Sequence, residues 1–99
     1  MLTSKQRAYL RSLAQKLEPV AQVGKNGVTP EQVANLDEAL ETRELVKLSI
    51  LNNCAEASQT VAEKLAGRTR AEVVQVIGSK VVIYRMSKAK VNSGIVLPK

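Results

Sequence analysis

The residues best suited to chemistry lie in one octapeptide, Val23-Gly24-Lys25-Asn26-Gly27-Val28-Thr29-Pro30. Two glycines three apart let a backbone turn sharply and let another molecule's backbone come close, because neither position carries a Cβ. Lys25 and Asn26 fall at the tip. Thr29, Pro30 and Gln32 supply an N-cap, a first-turn proline and a capping-box partner, so a helix starts here with its amides facing the loop. Such an end attracts anions. Glu31 already puts a negative charge in that first turn, which leaves the loop amides and Lys25 as the better phosphate ligands. Alone, Gly-x-x-Gly also suits a plain strand-to-helix turn.

Other reactive groups are few. The chain has no histidine and a single cysteine, Cys54, so it can form no internal disulfide, no Cys/His metal site and no histidine relay. Cys54 falls at the expected start of a helix, where a thiolate would be stabilised, but without a histidine it reads as an inert small side chain. Asp37 and Glu41, four apart on one helix face, could share a proton or hold a divalent ion. With no third ligand they read as a solvated surface. No nucleophile has a visible base, so no enzyme, cofactor, metal or small-molecule substrate is expected.

Charge is unevenly placed. The net charge is +6, yet Thr29 to Glu63 carries −5, so the rest carries +11. That remainder joins the first helix, the glycine loop and the C-terminal third, and if these meet on one side the molecule has a basic face for a polyanion. Only Tyr9 and Tyr84 are aromatic. Aliphatic side chains must therefore build the core, and base stacking on aromatic platforms is disfavoured.

Ninety-nine residues make one domain with a modest core. Thr3 and Gln6 form a capping box, and Leu10, Leu13, Ala14 and Leu17 recur at helical spacing, predicting a helix from Ser4 to about Leu17. Arg7 and Arg11 share one flank of its apolar stripe; Lys5, Tyr9 and Lys16 lie on the other. Val20 to Val23 is a short strand into the loop. Val33, Leu36 and Leu40 continue a helix from Pro30 to about Thr42. Leu45 to Leu51 alternates as a strand with one buried side, central or nearly so. Asn52-Asn53 signals a turn and cap before a third helix, lined by Ala57, Val61, Ala62, Leu65 and Ala66 and ending near Arg68 to Arg70. Glu72 to Ile77 and Lys80 to Arg85 flank Gly78-Ser79 as a hairpin. Met86 to Gly94 is basic without period and reads as a mobile tail, and residues 95 to 99 could dock back or fray. No apolar signal region opens the chain and no segment is long enough to span a bilayer. A cytoplasmic monomer without a membrane partner is expected.

Four stretches, taken in order, resemble the CRM domain in its stand-alone bacterial form, the YhbY-like RNA-binding proteins. They are Leu2-Thr3-Ser4-Lys5-Gln6-Arg7, Gly24-Lys25-Asn26-Gly27, Glu44-Leu45-Val46-Lys47, and Val74-Gln75-Val76-Ile77-Gly78 through Val82-Ile83-Tyr84-Arg85. The likeness covers about residues 2 to 85, with a family-like ending at Ile95 to Pro98. It implies an α/β fold ordered α-β-α-β-α-β-β, with a four-stranded sheet and three helices similar to the C-terminal domain of bacterial translation initiation factor three. Residues 1 to 85 are then a CRM-type RNA-binding domain and 86 to 99 a basic tail, where Lys88 and Lys90 match no family pattern. The resemblance also implies association with precursors of the large ribosomal subunit, and an RNA contact at Gly24, Lys25, Asn26 and Gly27 as in KH domains.

Together these readings predict a non-enzymatic module for structured ribosomal RNA. Loop amides and Lys25 form a backbone clamp, and Lys5, Arg7, Arg11, Lys80 and Arg85 neutralise phosphates. The alternative is a protein-interaction adaptor that docks its acidic second helix, Asp37 to Glu44, on a basic ribosomal protein or assembly factor.

Overall fold

The structure is a computed structural model that describes residues 2–86. Along the chain come α1 (Ser4–Ala14), β1 (Ala21–Val23), α2 (Pro30–Arg43), β2 (Leu45–Ile50), α3 (Ser58–Thr69), β3 (Glu72–Ile77) and β4 (Lys80–Tyr84), the expected order. The strands form one mixed sheet in the order β1-β2-β4-β3. β1 runs parallel to β2, pairing Val23 with Ile50, whereas β4 is antiparallel to both β2 and β3. Residues 87–99, and with them the tail and the Ile95 to Pro98 ending, lie outside the described residues.

Two apolar clusters sandwich the sheet. On one face Leu36 and Leu40 of α2 and Val61, Ala62 and Leu65 of α3 pack on Val46, Leu48, Ile50, Val81 and Ile83. On the other, Leu10 and Ala14 of α1 pack on Leu45, Val74, Val82 and Tyr84. Each fully buried Leu or Ile contributes about 1.5–3 kcal/mol. This layering corrects the reading of β2 as a strand with one buried side. Because α1 covers the face opposite α2 and α3, Leu45 and Ser49 are buried as well as Val46, Leu48 and Ile50.

Helix ends account for the other differences. The Thr3–Gln6 capping box forms in full, but α1 stops at Ala14 rather than near Leu17. Its last turn tightens through Lys16 N–H to Leu13 and Leu17 N–H to Ala14. Lys47 Nζ then donates to the carbonyls of Ala14 and Leu17, each at 3.4 Å, placing a cation where the helix dipole is negative. α3 starts only at Ser58, capped by Ala57 without a side-chain bond. Asn52-Asn53 therefore makes a turn and no cap, and Cys54 lies before the helix, packed against the core rather than at a thiolate-stabilising end. The Gly78-Ser79 hairpin forms, with Gly78 at φ +54°, and a register shift between Val73 and Gln75 interrupts the β3–β4 ladder.

Candidate nucleic-acid interface

The glycine loop leaves the end of β1 held from both sides. Leu51 N–H donates to Val23 O at 2.8 Å, and Gly27 N–H donates to Gly24 O at 3.0 Å, closing a turn with Lys25 and Asn26 exposed at its tip. Gly27 has φ +63°, a conformation that favours glycine. A Cβ there would stand 3.1 Å from Glu56 Oε1, while one on Gly24 would meet Asn53 Oδ1 and Leu51 Cδ1 at 3.6 Å, ordinary contact. Both absent Cβ atoms thus point at the 51–57 turn of the same chain. An approaching backbone would meet the tip and its open side, where Gly24 to Gly27 with Thr29, Gln32 and Asn35 line a concavity of about 310 Å³.

The start of α2 is less open to anions than its sequence suggests. Thr29 Oγ1 accepts from Gln32 N–H at 3.1 Å, Thr29 O accepts from Val33 N–H at 3.0 Å, and Pro30 has no N–H. Of the four amides a helix start leaves open, those of Thr29, Pro30, Glu31 and Gln32, the capped Gln32 and the proline drop out, so the Thr29 and Glu31 amides remain. The capping box here is half formed, because the Gln32 side chain donates instead to Gln22 O of β1 at 2.6 Å. That bond ties the two ends of the loop together.

The cations expected to join the loop are dispersed. Lys80 pairs with Ser49 across β2–β4, at the same end of the sheet as Val23 and Ile50, and its Nζ donates to Ser49 Oγ at 3.0 Å. It shares the loop's end. Arg7 is half-buried at the opposite end, donating through Nη1 to the carbonyl of Val73 on the outer strand β3. Lys5 and Arg11 are exposed on α1, which covers the sheet face away from α2. Arg85 is the clearest departure: its side chain is only 10 % exposed, ion-paired through Nη1 with Asp37 and at 3.7 Å through Nη2 with Glu41. It also donates to the backbone carbonyls of Thr69 at 2.8 Å and Asp37 at 3.0 Å. Arg85 therefore ties β4 to α2 and the end of α3 instead of facing phosphates, because the acids of α2 lie directly over the end of β4.

Sequence reasoning missed two features near the loop. Glu56 pairs with Lys64 of α3 while its other oxygen faces Gly27. The Arg43 side chain, near the end of α2, lines a cleft along β1. Helical spacing from Gln32 was the available signal for Arg43; nothing local could have brought Glu56 to Gly27. Among the described residues no group of His, Cys, Asp or Glu could hold a metal ion, and no helix is long and apolar enough to cross a membrane.

Residues 2–85 match the model of the CRS1 / YhbY (CRM) domain. The probable RNA-binding protein YqeI of Bacillus subtilis is 48% identical over 98 residues, spanning 99% of this chain and 100% of that one. An RNA-binding protein of Haemophilus influenzae is 36% identical over 87 residues, 88% of each chain. The solution structure of the hypothetical protein SAV1595 from Staphylococcus aureus superposes with a TM-score of 0.83 at 48% identity, covering 99% of this chain and 100% of that one.

Proposed function

Because the chain belongs to the CRS1 / YhbY (CRM) domain family, we propose that it is a non-enzymatic RNA-binding protein of the cytoplasm that holds structured ribosomal RNA and assists assembly of the large ribosomal subunit. The observation that carries this reading is the loop itself: a tight turn that exposes Lys25 and Asn26 beside an open concavity, in a chain whose relatives are named for binding RNA. Lys25 and the tip amides contact the phosphate backbone, and Lys80 adds a cation at the same end of the sheet. Lys5 and Arg11 extend the contact along α1 only where the RNA wraps the molecule.

The adaptor alternative loses ground because Asp37 and Glu41, two of the acids it needs on α2, already bind Arg85. Crosslinking in cells with sequencing of the bound RNA tests the proposal directly. Enrichment of large-subunit precursor fragments, reduced by Lys25→Ala, is the expected result. Protein crosslinks without RNA would favour the adaptor.

A further inference from the structure

We infer that the cleft between α2 and the outer edge of β1 receives an unpaired nucleobase of an RNA whose backbone lies on the Gly24–Gly27 loop; this rests on the RNA-binding reading above. The cleft has a volume of about 300 Å³. Its walls are aliphatic, including Val20, Ala21, Leu36 and Ala39, and its polar groups are Gln32, Asn35 and Arg43. A base has two apolar faces and a hydrogen-bonding edge, and this pairing of dry walls with a few amide and guanidinium groups suits that shape.

Continuity places the base. Gln32 and Asn35 line both this cleft and the concavity of the glycine loop, so the two hollows share a border. A nucleotide whose phosphate meets Lys25 has its base within reach of Asn35. Arg43 lies eight residues further along α2, about 12 Å at helical rise, where it meets the strand as it leaves.

Charge selects the occupant. Positions 32, 35, 36, 39 and 43 form one stripe of α2 at helical spacing and hold no acid, whereas Asp37, Glu38 and Glu41 fall on the other side of the helix. Glu31 borders the loop concavity but not the cleft. A polyanion can follow this stripe from Lys25 to Arg43 without passing an acidic side chain of α2 beyond Glu31. Val20 stands 43 % exposed at the cleft, an apolar surface that a base would cover. Gln32 Nε2 already occupies Gln22 O, so the ligand is bound by its base in the cleft and not by pairing with that carbonyl of β1. A base inside a duplex cannot enter, which makes an unpaired nucleotide in a bulge or loop the ligand.

The test uses the full chain and three hairpin RNAs of equal charge, each closed by a non-nucleotide linker so that no loop base is unpaired: fully paired, carrying a one-nucleotide bulge, and carrying an abasic bulge. The bulged hairpin should bind about tenfold tighter than the other two, and 2-aminopurine at the bulge should change its emission on binding. Ala39→Leu, which fills the cleft, should remove that preference while leaving affinity for the paired hairpin unchanged. The abasic comparison needs no variant and stands if Ala39→Leu fails to fold. Equal affinity for the base-bearing and abasic bulges, with binding still reduced by Lys25→Ala, overturns the cleft and leaves the RNA reading intact. Absence of binding to all three hairpins overturns both.

Discussion

Glu56 Oε1 stands 3.1 Å from the point where a Cβ on Gly27 would be. The carboxylate is therefore beside the loop on its inner side, and Lys64 pairs with its other oxygen. Any acid introduced at Gly27 faces this residue before it faces RNA.

Gly27→Asp should lower RNA affinity at least tenfold, about 1.4 kcal/mol, and should also lower the melting temperature, since it joins a strained φ to a like-charge contact. Gly27→Asn keeps the shape without the charge and should lose about 1 kcal/mol of stability. Repeating Gly27→Asp in a Glu56→Gln background separates internal repulsion from repulsion of phosphate. If the loss of affinity disappears in that background once both proteins are folded, phosphates do not approach Gly27.

The Glu56–Lys64 pair should set the local charge of the loop. Glu56→Gln is expected to tighten RNA binding about threefold and Lys64→Met to weaken it by a similar factor, with the double variant near the parent, as screened charges roughly a nanometre from a phosphate would give. Fluorescence anisotropy at fixed salt measures all four. Equal affinities throughout would place the RNA beyond the reach of this turn.

Salt dependence reports the number of phosphates neutralised. Lys25, Lys80, Lys5 and Arg11 give about four, and at roughly −0.7 per phosphate the affinity should fall about fiftyfold between about 50 and 200 mM salt. Arg11→Glu should reduce the slope with little change in melting temperature. Arg7→Glu should destabilise by about 1 kcal/mol as well, because Arg7 holds the Val73 carbonyl. A flat salt response would contradict a phosphate-led contact.

Arg85 should behave as a structural residue. Arg85→Met removes the ion pairs to Asp37 and Glu41 and the bonds to two carbonyls, a loss of about 2 kcal/mol after allowing for the exposure of Asp37, or some 10 °C in melting temperature. Affinity per folded molecule should not change. Weaker RNA binding by Arg85→Met at a temperature where it is fully folded would return Arg85 to the contact surface.

Much of the frame was legible because it rests on local signals: the Thr3–Gln6 box, the period of Val33, Leu36 and Leu40, and the Gly78-Ser79 turn each act within a few residues. What stayed hidden depends on packing. Leu45 looked like the start of a half-buried strand until α1 closed over it, and Gln32 looked like a reciprocal cap until Gln22 O came within reach. The site divides the same way. Gly24 to Gly27 could be found by spacing, whereas Arg85 could not be withdrawn from the cation set without knowing that Asp37, 48 residues away, lies over its guanidinium.

Alkaline stability follows from a group buried in the sheet. Burial first, and the Glu44 carboxylate second, raise the Tyr84 phenol above its ordinary pKa of 10.0. A raised folded pKa gives stability that is complete below the unfolded value and lost as pH rises through the folded one. Melting temperatures should therefore fall above about pH 10, and Tyr84→Phe should flatten that fall. An unchanged alkaline profile in Tyr84→Phe would assign the loss to other groups.

Each outer strand of the sheet has one backbone carbonyl capped by a side chain. At one side Gln32 covers the Gln22 carbonyl of a strand only three residues long; at the other, Arg7 covers Val73 where the β3 ladder is already irregular. Open rungs are where identical chains stack into fibres. Removing Arg7's guanidinium would bare the Val73 carbonyl on the β3 edge, so Arg7 variants should show a greater tendency than loop variants to associate strand on strand.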